Sequence, residues 1–264
     1  MQKRIIFGLI ALLIFMPLLF VGGIAFQLFI GLLSMLGVSE LLRMKGLEVF
    51  SFEGVLAMLG AFVLTVPIGN YLSFLPIDAN FSLFSIITFI LLAGIVLNYP
   101  VYTFDDAVFP IASSLYVGIG FQNLIIAQQS GFNKVLLALL IVWATDIGAY
   151  FIGMRYGQRK LLPSVSPNKT IEGSLGGIVF ALVVAGVFMA FDASLYAPYS
   201  FLVMILLVAL FSIAGQFGDL IESAIKRHFG VKDSGRLIPG HGGVLDRFDS
   251  MLLVLPLMHF LGLF

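Results

Sequence analysis

Long apolar runs recur from one end of this sequence to the other, and they constrain its fold more than any other feature. Hydrophobic residues fill 60% of the 264 positions and charged residues only 11%, whereas soluble domains are roughly 45–50% apolar. Several runs approach the ~20 residues that an α-helix needs to cross the hydrocarbon core of a bilayer. The sequence therefore predicts an integral membrane protein with a single transmembrane domain over residues 1–264.

The same runs predict an all-α, polytopic fold of about nine transmembrane helices. Backbone groups in lipid must be satisfied within helices or a closed barrel, and the runs lack the period-two alternation of barrel strands. The predicted helices cover residues 5–21, 24–42, 53–68, 81–97, 108–126, 135–154, 175–191, 201–227 and 248–264. We expect the first helix to be retained, because no small-residue cleavage site follows it.

The positions of the charges predict the orientation of these helices. With a cytoplasmic amino terminus and helices that alternate in direction, every Lys and Arg except Lys134 falls in a cytoplasmic segment. This asymmetry follows the positive-inside rule. The two most polar connections, residues 155–172 and 228–247, then lie on the cytoplasmic side. A site built from both connections would meet cytosolic molecules.

Charge balance and cysteine usage exclude several functions. The chain has 14 basic and 14 acidic residues and no run of Lys and Arg, so no nucleic-acid partner is expected. It has no cysteine, which excludes disulfides, thiolate metal ligands and cysteine nucleophiles. Any chemistry must therefore depend on other side chains.

Ionisable residues cluster near the end of the eighth predicted helix. Asp219, Glu222, Ser223 and Lys226 are three or four positions apart and so share one helix face. Each ionisable residue at the centre of a membrane helix costs roughly 2.5–3.5 kcal/mol to insert on translocon scales. Two interpretations stay open at this point. The cluster is a functional site, or the acids neutralise Lys226 and Arg227 at the helix end.

A glycine-rich segment precedes the last predicted helix. Its backbone-permissive positions, which can take positive φ or approach a ligand closely, are Gly240, Gly242 and Gly243. His241 stands among them. Asp246 and Asp249 follow at the start of the helix, and together with Asp219 they could hold Mg²⁺, which prefers one or two carboxylates plus substrate phosphate oxygens. The alternatives are a surface turn for the glycines and helix capping for the two acids.

Two polar features lie upstream. The stretch from Ser166 to Glu172 leads into an apolar helix that Ser166 or Thr170 can cap. Lys169, beside backbone donors at that helix start, suits an anionic group, although positive-inside anchoring explains it equally well. Asp146 is placed inside an otherwise apolar span, and a buried acid there is a functional candidate by default.

The ordered pattern at the end of the chain resembles the signature of phosphatidate cytidylyltransferases. The matching residues are Ser223, Lys226, Arg227, Lys232, Asp233, His241, Gly242, Gly243, Asp246, Arg247 and Asp249. The pattern covers about 27 positions with fixed gaps, so it is far more specific than a lone glycine-rich loop. The stretch from Trp143 to Gly173 is also similar to this family. It departs from the family at Asn168, often a second lysine, and at Ile171, often a tryptophan, which leaves Lys169 as the better phosphate contact.

This resemblance implies an all-helical membrane enzyme, active as a homodimer, that uses Mg²⁺ to convert CTP and phosphatidate into CDP-diacylglycerol and pyrophosphate. Whether a second metal or a monovalent ion takes part stays open. The expected location is the cell membrane, with a multi-pass chain in contact with membrane lipid and an active site facing the cytoplasm. Residues 1–134 would form the amino-terminal helices, and residues 135–264 the catalytic helices and cytoplasmic loops.

The resemblance also implies roles for individual residues. The expected metal ligands are Asp219, Asp246 and Asp249. The expected catalytic residues are Ser223, Lys226, Arg227, Asp233 and Arg247. The expected substrate-binding residues are Ser166, Lys169, Thr170, Glu172, Lys232, Gly240, His241, Gly242 and Gly243. Asp146 and Glu222 are further candidates for the site.

Two other classes of protein remain open from the residues alone. A secondary transporter would use Asp146, Asp219, Glu222 and Lys226 as an ion or substrate pathway near the bilayer midplane. That class does not explain a glycine-rich loop followed by two spaced acids. Another lipid enzyme, such as a CDP-alcohol phosphotransferase or a prenyltransferase, would carry acids repeated at four-residue spacing, which this sequence lacks.

Overall fold

The computed structural model of the chain is dominated by helices over the residues that it describes, 2–71, 78–235 and 242–264, with the side chains of residues 2–7, 9 and 11 excluded. In these ranges the helices are α1 (Gln2–Val21), α2 (Gly23–Lys45), α3 (Phe52–Thr65), α4 (Ala79–Leu97), α5 (Phe104–Gln129), α6 (Phe132–Tyr156), α7 (Ile171–Phe191), α8 (Phe201–His228), α9 (Leu245–Phe248) and α10 (Met251–Phe260). Short 3₁₀ turns cover Ile68–Asn70 and Ala193–Leu195.

The prediction of an all-α membrane protein is confirmed. Among the described residues, six helices are long and apolar enough to cross a bilayer, namely α2, α4, α5, α6, α7 and α8. The apolar stretches Leu12–Val21, Phe52–Thr65 and Met251–Phe260 are shorter. The count of about nine spans therefore stays a prediction.

Local capping explains where several helices begin and end. Ser51 caps α3 by accepting a hydrogen bond from the Gly54 N–H at 3.2 Å. Thr170, one of the two caps that the sequence offered, caps α7 in the same way through a 3.1 Å bond from the Gly173 N–H. Gly46 ends α2 in the left-handed conformation with φ of 82°. These ends follow from residue types at fixed offsets, so they were predictable.

The polar connection between α6 and α7 contains a β-hairpin that the sequence did not predict. Strands β1 (Lys160–Leu162) and β2 (Ser166–Thr170) pair antiparallel, with Lys160 opposite Thr170 and Leu162 opposite Ser166. Glu172 closes the base of the hairpin, because its Oε2 accepts hydrogen bonds from the N–H groups of Gln158 and Arg159 at 3.1 and 3.2 Å. Strands of three and five residues are too short to show a hydrophobic periodicity that would reveal them.

The predicted last helix, residues 248–264, differs in the structure. Helix α9 ends at Phe248, a turn holds Asp249 and Ser250, and α10 begins at Met251. The Ser250 N–H donates to the Asp249 carboxylate at 2.7 Å. Short polar side chains of this kind compete with the helix for backbone hydrogen bonds, which explains the break.

The chain forms two compact units. The first contains Met1–Ile125 with Asp233–Leu245, and the second contains Ile126–Lys232 with Asp246–Phe264. The expectation of one transmembrane domain, divided at residue 135, stays a prediction. In the first unit α3 packs against α2, α4 and α5. The Ser114 hydroxyl of α5, for example, donates to the Ala57 carbonyl of α3 at 2.7 Å.

Close backbone contact between α6 and α7 organises the second unit. A Cβ atom added to Gly177 would lie 2.7 Å from the Thr145 carbonyl oxygen, and one added to Gly173 would lie 2.8 Å from that of Ala149. Small residues four positions apart commonly allow membrane helices to approach in this way. Helix α8 joins the pair through a buried 2.7 Å hydrogen bond between the hydroxyls of Thr145 and Ser212. The hairpin and α10 complete the unit.

Candidate active site

Lys226 on α8 joins two buried acids. Its ammonium group forms an ion pair with Glu222, one turn earlier on the same helix. It also donates to Asp246 Oδ1 at 2.7 Å. The Glu222 and Asp246 side chains are only 1% and 10% exposed. No other hydrogen-bond donor among the described residues reaches the Glu222 oxygens, so Lys226 supplies the compensating charge.

The hairpin brings a second cation to α8. Lys169 of β2 places its Nζ 2.6 Å from Asp219 Oδ2, and the two side chains are 26% and 30% exposed. Ser223 donates to the other carboxylate oxygen of Asp219 at 3.2 Å. The spacing of residues on α8 predicted the neighbours Asp219 and Ser223, whereas the contact with Lys169 depends on the fold of the hairpin.

A cavity of about 480 Å³ lies beside the Lys169–Asp219 pair. Asp146 of α6 and Gln216 of α8 add polar groups to its lining, while Tyr150 and Met154 are among its less polar residues. Asp146 is exposed towards this space, which corrects the expectation of a buried acid. The sequence showed an acid in an apolar span but could not show that neighbouring helices leave a cavity there. The cavity thus combines charged groups with an apolar wall.

Asp249 lies close to α8 because Gly218 has no side chain to keep the Asp249 turn away. A Cβ atom on Gly218 would lie 2.6 Å from the Asp249 carbonyl oxygen and 3.0 Å from the Ser250 Cα. Burial, together with the negative charges of Asp219 and Asp146, raises the pKa of Asp249 to about 7. The negative charges of Asp219 and Asp146 thus act on Asp249, and a cation bound nearby would offset them.

The acids near α8 could provide some, but not all, of the ligands of a metal ion. No three His, Cys, Asp or Glu side chains converge on a possible metal position within the described residues. Mg²⁺ bound with substrate needs only one or two carboxylates, because phosphate oxygens and water complete its octahedron. Asp219 on α8 and Asp249, in the turn that packs against Gly218, are the candidates for such a partial set. Asp246 accepts from Lys226 instead, so ligation by Asp219, Asp246 and Asp249 together stays a prediction.

Two predicted residues make structural contacts around the hairpin. Arg227 is exposed, and it donates from Nε to the Val165 carbonyl and from Nη1 to the Val231 carbonyl, each at 3.3 Å. Ser166 is half-buried at the start of β2. Arg227 thus ties the carboxyl end of α8 to the hairpin turn.

The other predicted residues lie along the chain after α8. Lys232 and Asp233 are exposed in the connection that follows α8, and Arg247 is exposed on α9. Their roles stay predictions. Gly240 and His241 lie outside the described residues.

The two described glycines of the glycine-rich segment have different reasons to be glycine. Gly242 has φ of 81°, a left-handed conformation that suits glycine. Gly243 is buried where an added Cβ would overlap the carboxyl group of Glu40. Sequence reasoning missed Glu40, although a lone acid within the apolar run of α2 was a usable signal.

Comparison with known proteins identifies the family. A sequence model described as the cytidylyltransferase family matches residues 2–264. The chain belongs to this family. Proteins named phosphatidate cytidylyltransferase from Staphylococcus haemolyticus and Bacillus subtilis are 44% and 41% identical to it, over 99% of this chain and 98% and 97% of theirs. A third, from Staphylococcus saprophyticus, is 42% identical over 99% of this chain and 98% of its own. The resemblance predicted from the signature is confirmed.

Proposed function

We propose that the chain is a phosphatidate cytidylyltransferase, which transfers CMP from CTP to phosphatidate and releases pyrophosphate. The observation that carries the proposal is a cavity lined by a cation, two acids and an apolar wall, in a chain whose relatives of that name match it over almost their whole length. One substrate of this reaction is a polyanion and the other is an anionic lipid. A cavity that is charged in one part and apolar in another suits both.

The reaction needs charge neutralisation more than proton transfer. The phosphate of phosphatidate, with a second pKa of about 6, is largely a dianion at neutral pH, so its oxygen is already a nucleophile. That oxygen forms a bond to the α-phosphorus of CTP while the bond to the bridging oxygen of the β-phosphate breaks. Pyrophosphate leaves with the electron pair. Catalysis therefore depends on in-line positioning and on reducing repulsion between two anions.

Lys169 and Lys226 have different roles in this charge neutralisation. The Lys169–Asp219 pair is partly exposed, and such pairs contribute only about 0–1 kcal/mol. Lys169 can therefore turn from Asp219 to a substrate phosphate at little cost. Lys226 is held between Glu222 and Asp246 in a buried cluster. Its main role is to fix the Asp246 carboxylate and to contribute a constant positive charge.

We further propose Mg²⁺ dependence, with Asp219 and Asp249 as protein ligands. The bound ion would neutralise negative charge on the triphosphate. Asp219 would be available when Lys169 contacts substrate, and Ser223 would keep the orientation of the Asp219 carboxylate through its hydrogen bond. Gly218 sets the approach of the Asp249 turn to α8. Asp246 as a further ligand remains part of the prediction.

The location of the site is also part of the proposal. We place the protein in the cell membrane with the amino terminus and the site on the cytoplasmic face, where CTP is present. Basic residues in the last turns of α2 and α8, among them Arg43, Lys45 and Arg227, support this orientation through the positive-inside rule. The homodimer implied by the family resemblance is proposed too, and chemical cross-linking in membranes tests it.

Pyrophosphate release by purified protein tests the proposed function. The assay compares CTP with ATP, GTP and UTP, each with and without phosphatidate and Mg²⁺, in detergent or liposomes. We expect release only when CTP, phosphatidate and Mg²⁺ are all present, and a loss of release in Asp219→Asn. Folded protein that releases no pyrophosphate in any combination, but carries CTP-independent flux in proteoliposomes, would favour the transporter class instead.

A further inference from the structure

Glu40 is a buried acid on α2 that has no role in the candidate active site described above. Its side chain is 3% exposed. Its Oε1 accepts a hydrogen bond from the Val244 N–H at 2.7 Å. Its Oε2 accepts from the Leu245 N–H at 3.0 Å and from the Ser234 hydroxyl at 2.8 Å. Among the described residues, this one carboxyl group thus receives three donors from a segment about 200 positions away in the sequence.

These donors come from the two ends of the segment Asp233–Leu245. Ser234 and Gly235 lie at one end, and Gly243 to Leu245 lie at the other. An added Cβ on Gly235 would lie 2.7 Å from Glu40 Oε1, and one on Gly243 would also overlap the carboxyl group. Glycine at both positions therefore leaves the space that the Glu40 side chain fills, so Glu40 holds both ends of the segment in place.

The residues next to these contacts belong to the family signature. Asp233 precedes Ser234, and Asp246 follows Leu245 directly in the chain. Glu40 itself is not part of the cavity lining. Within the described residues the Glu40 carboxyl group contacts this segment, so we expect its effect on substrates to act through the segment.

We infer that Glu40 is a positioning residue for cytidylyl transfer, acting by holding both ends of the segment Asp233–Leu245. The inference rests on the proposed function. A carboxyl group suits this task because its two acceptor oxygens serve the three donors described above, whereas a carboxamide has only one acceptor oxygen and adds two donors. Glu40→Gln keeps the size of the side chain but leaves at least one buried donor facing an N–H₂ group.

Kinetics of matched variants test the inference. The test variants are Glu40→Gln and Ser234→Ala, alone and combined, and the control is Glu48→Gln, which removes an exposed acid just after α2. Steady-state kcat and KM for CTP and for phosphatidate are measured per folded molecule, with thermal unfolding recorded for each protein. We expect kcat/KM for CTP to fall about tenfold in Glu40→Gln and about two- to fivefold in Ser234→Ala. The kcat/KM of the double variant should be little below that of Glu40→Gln, because both substitutions affect the same hydrogen bond between Ser234 and Glu40. Glu48→Gln should match the wild type.

A second readout does not depend on activity. Lys232 is exposed immediately before the held segment, so trypsin should cut after it faster in Glu40→Gln than in Glu48→Gln under native conditions. Unchanged kinetic constants in folded Glu40→Gln, or a lower unfolding temperature alone, would overturn the inference. If Glu40→Gln does not fold, Ser234→Ala decides by the same criteria. Wild-type protein without activity would overturn the proposed function, and equal cleavage rates would then overturn the holding role of Glu40 separately.

Discussion

Replacement of Gly218 by alanine adds a methyl group where α8 meets the Asp249–Ser250 turn. The new Cβ would lie 2.6 Å from the Asp249 carbonyl oxygen, whereas carbon–oxygen contacts of this kind are normally at least about 3.3 Å. The turn must therefore move by about 0.7 Å. Because Asp249 is part of this turn, the substitution displaces a proposed metal ligand without changing any polar group.

The expected effect on stability is small and the expected effect on rate is large. Overpacking costs typically about 1–3 kcal/mol, and the better helix propensity of alanine returns about 1 kcal/mol. The free energy of unfolding should thus fall by about 2 kcal/mol or less. A displacement near 1 Å at a reacting centre can lower turnover about 100-fold. We expect Gly218→Ala to remain folded and to lose about that factor in kcat/KM.

Gly215→Ala is the matched control, because it makes the same change one turn earlier on α8. An added Cβ at Gly215 would meet its nearest neighbour, the Val254 Cγ2, at 3.4 Å, which is ordinary contact. Pyrophosphate release by both variants is measured over a range of Mg²⁺ concentrations. The reasoning predicts near-normal release by Gly215→Ala and a large loss by Gly218→Ala. Equal rates in the two variants would refute it.

Three further predictions concern charged residues. Lys226→Gln leaves the buried acids Glu222 and Asp246 uncompensated, so it should lower both the unfolding temperature, by the equivalent of about 3–5 kcal/mol, and the rate of pyrophosphate release. Lys169→Gln breaks a partly exposed pair, so the free energy of unfolding should change by less than about 1 kcal/mol while KM for CTP rises at least about tenfold. Asp249→Asn should raise the Mg²⁺ concentration needed for half-maximal release.

Separate outcomes would contradict these predictions. A near-normal rate and stability in Lys226→Gln would show that its buried pairs have no role. Unchanged KM in Lys169→Gln would exclude a phosphate contact there. Normal turnover at low Mg²⁺ in both Asp249→Asn and Asp246→Asn would show that the metal assignment is wrong.

Much of the fold could be predicted because membrane helices depend on local sequence. Apolar length predicted the long helices, and residue type limited the cap of α7 to Ser166 or Thr170, of which the structure has Thr170. The hairpin from Lys160 to Thr170 could not be predicted, because its two strands are too short to show a periodicity and depend on pairing with each other. The break in the helix at Asp249 depends on one side-chain hydrogen bond. The long apolar run that follows Asp249 predicted a continuous helix instead.

In the candidate site, too, contacts within one helix could be predicted and contacts between distant segments could not. Helical spacing predicted that Asp219 and Ser223 are neighbours, and the structure has them in contact. Contacts between distant segments could not be predicted. Lys169 with Asp219 is one example, and Lys226 with Asp246 is another. Spacing alone grouped Asp246 with Asp249, although Asp246 accepts a hydrogen bond from Lys226.

Transfer of the α-phosphate of CTP into lipid tests the central claim most directly. Purified protein in liposomes containing phosphatidate is given Mg²⁺ and CTP labelled on either the α- or the γ-phosphate, and the label in the chloroform extract is counted. The proposed reaction predicts that the α-label enters a lipid that co-migrates with CDP-diacylglycerol, while the γ-label stays in the aqueous phase as pyrophosphate. Label from the γ-phosphate in the lipid, or no lipid label from either CTP, would contradict it.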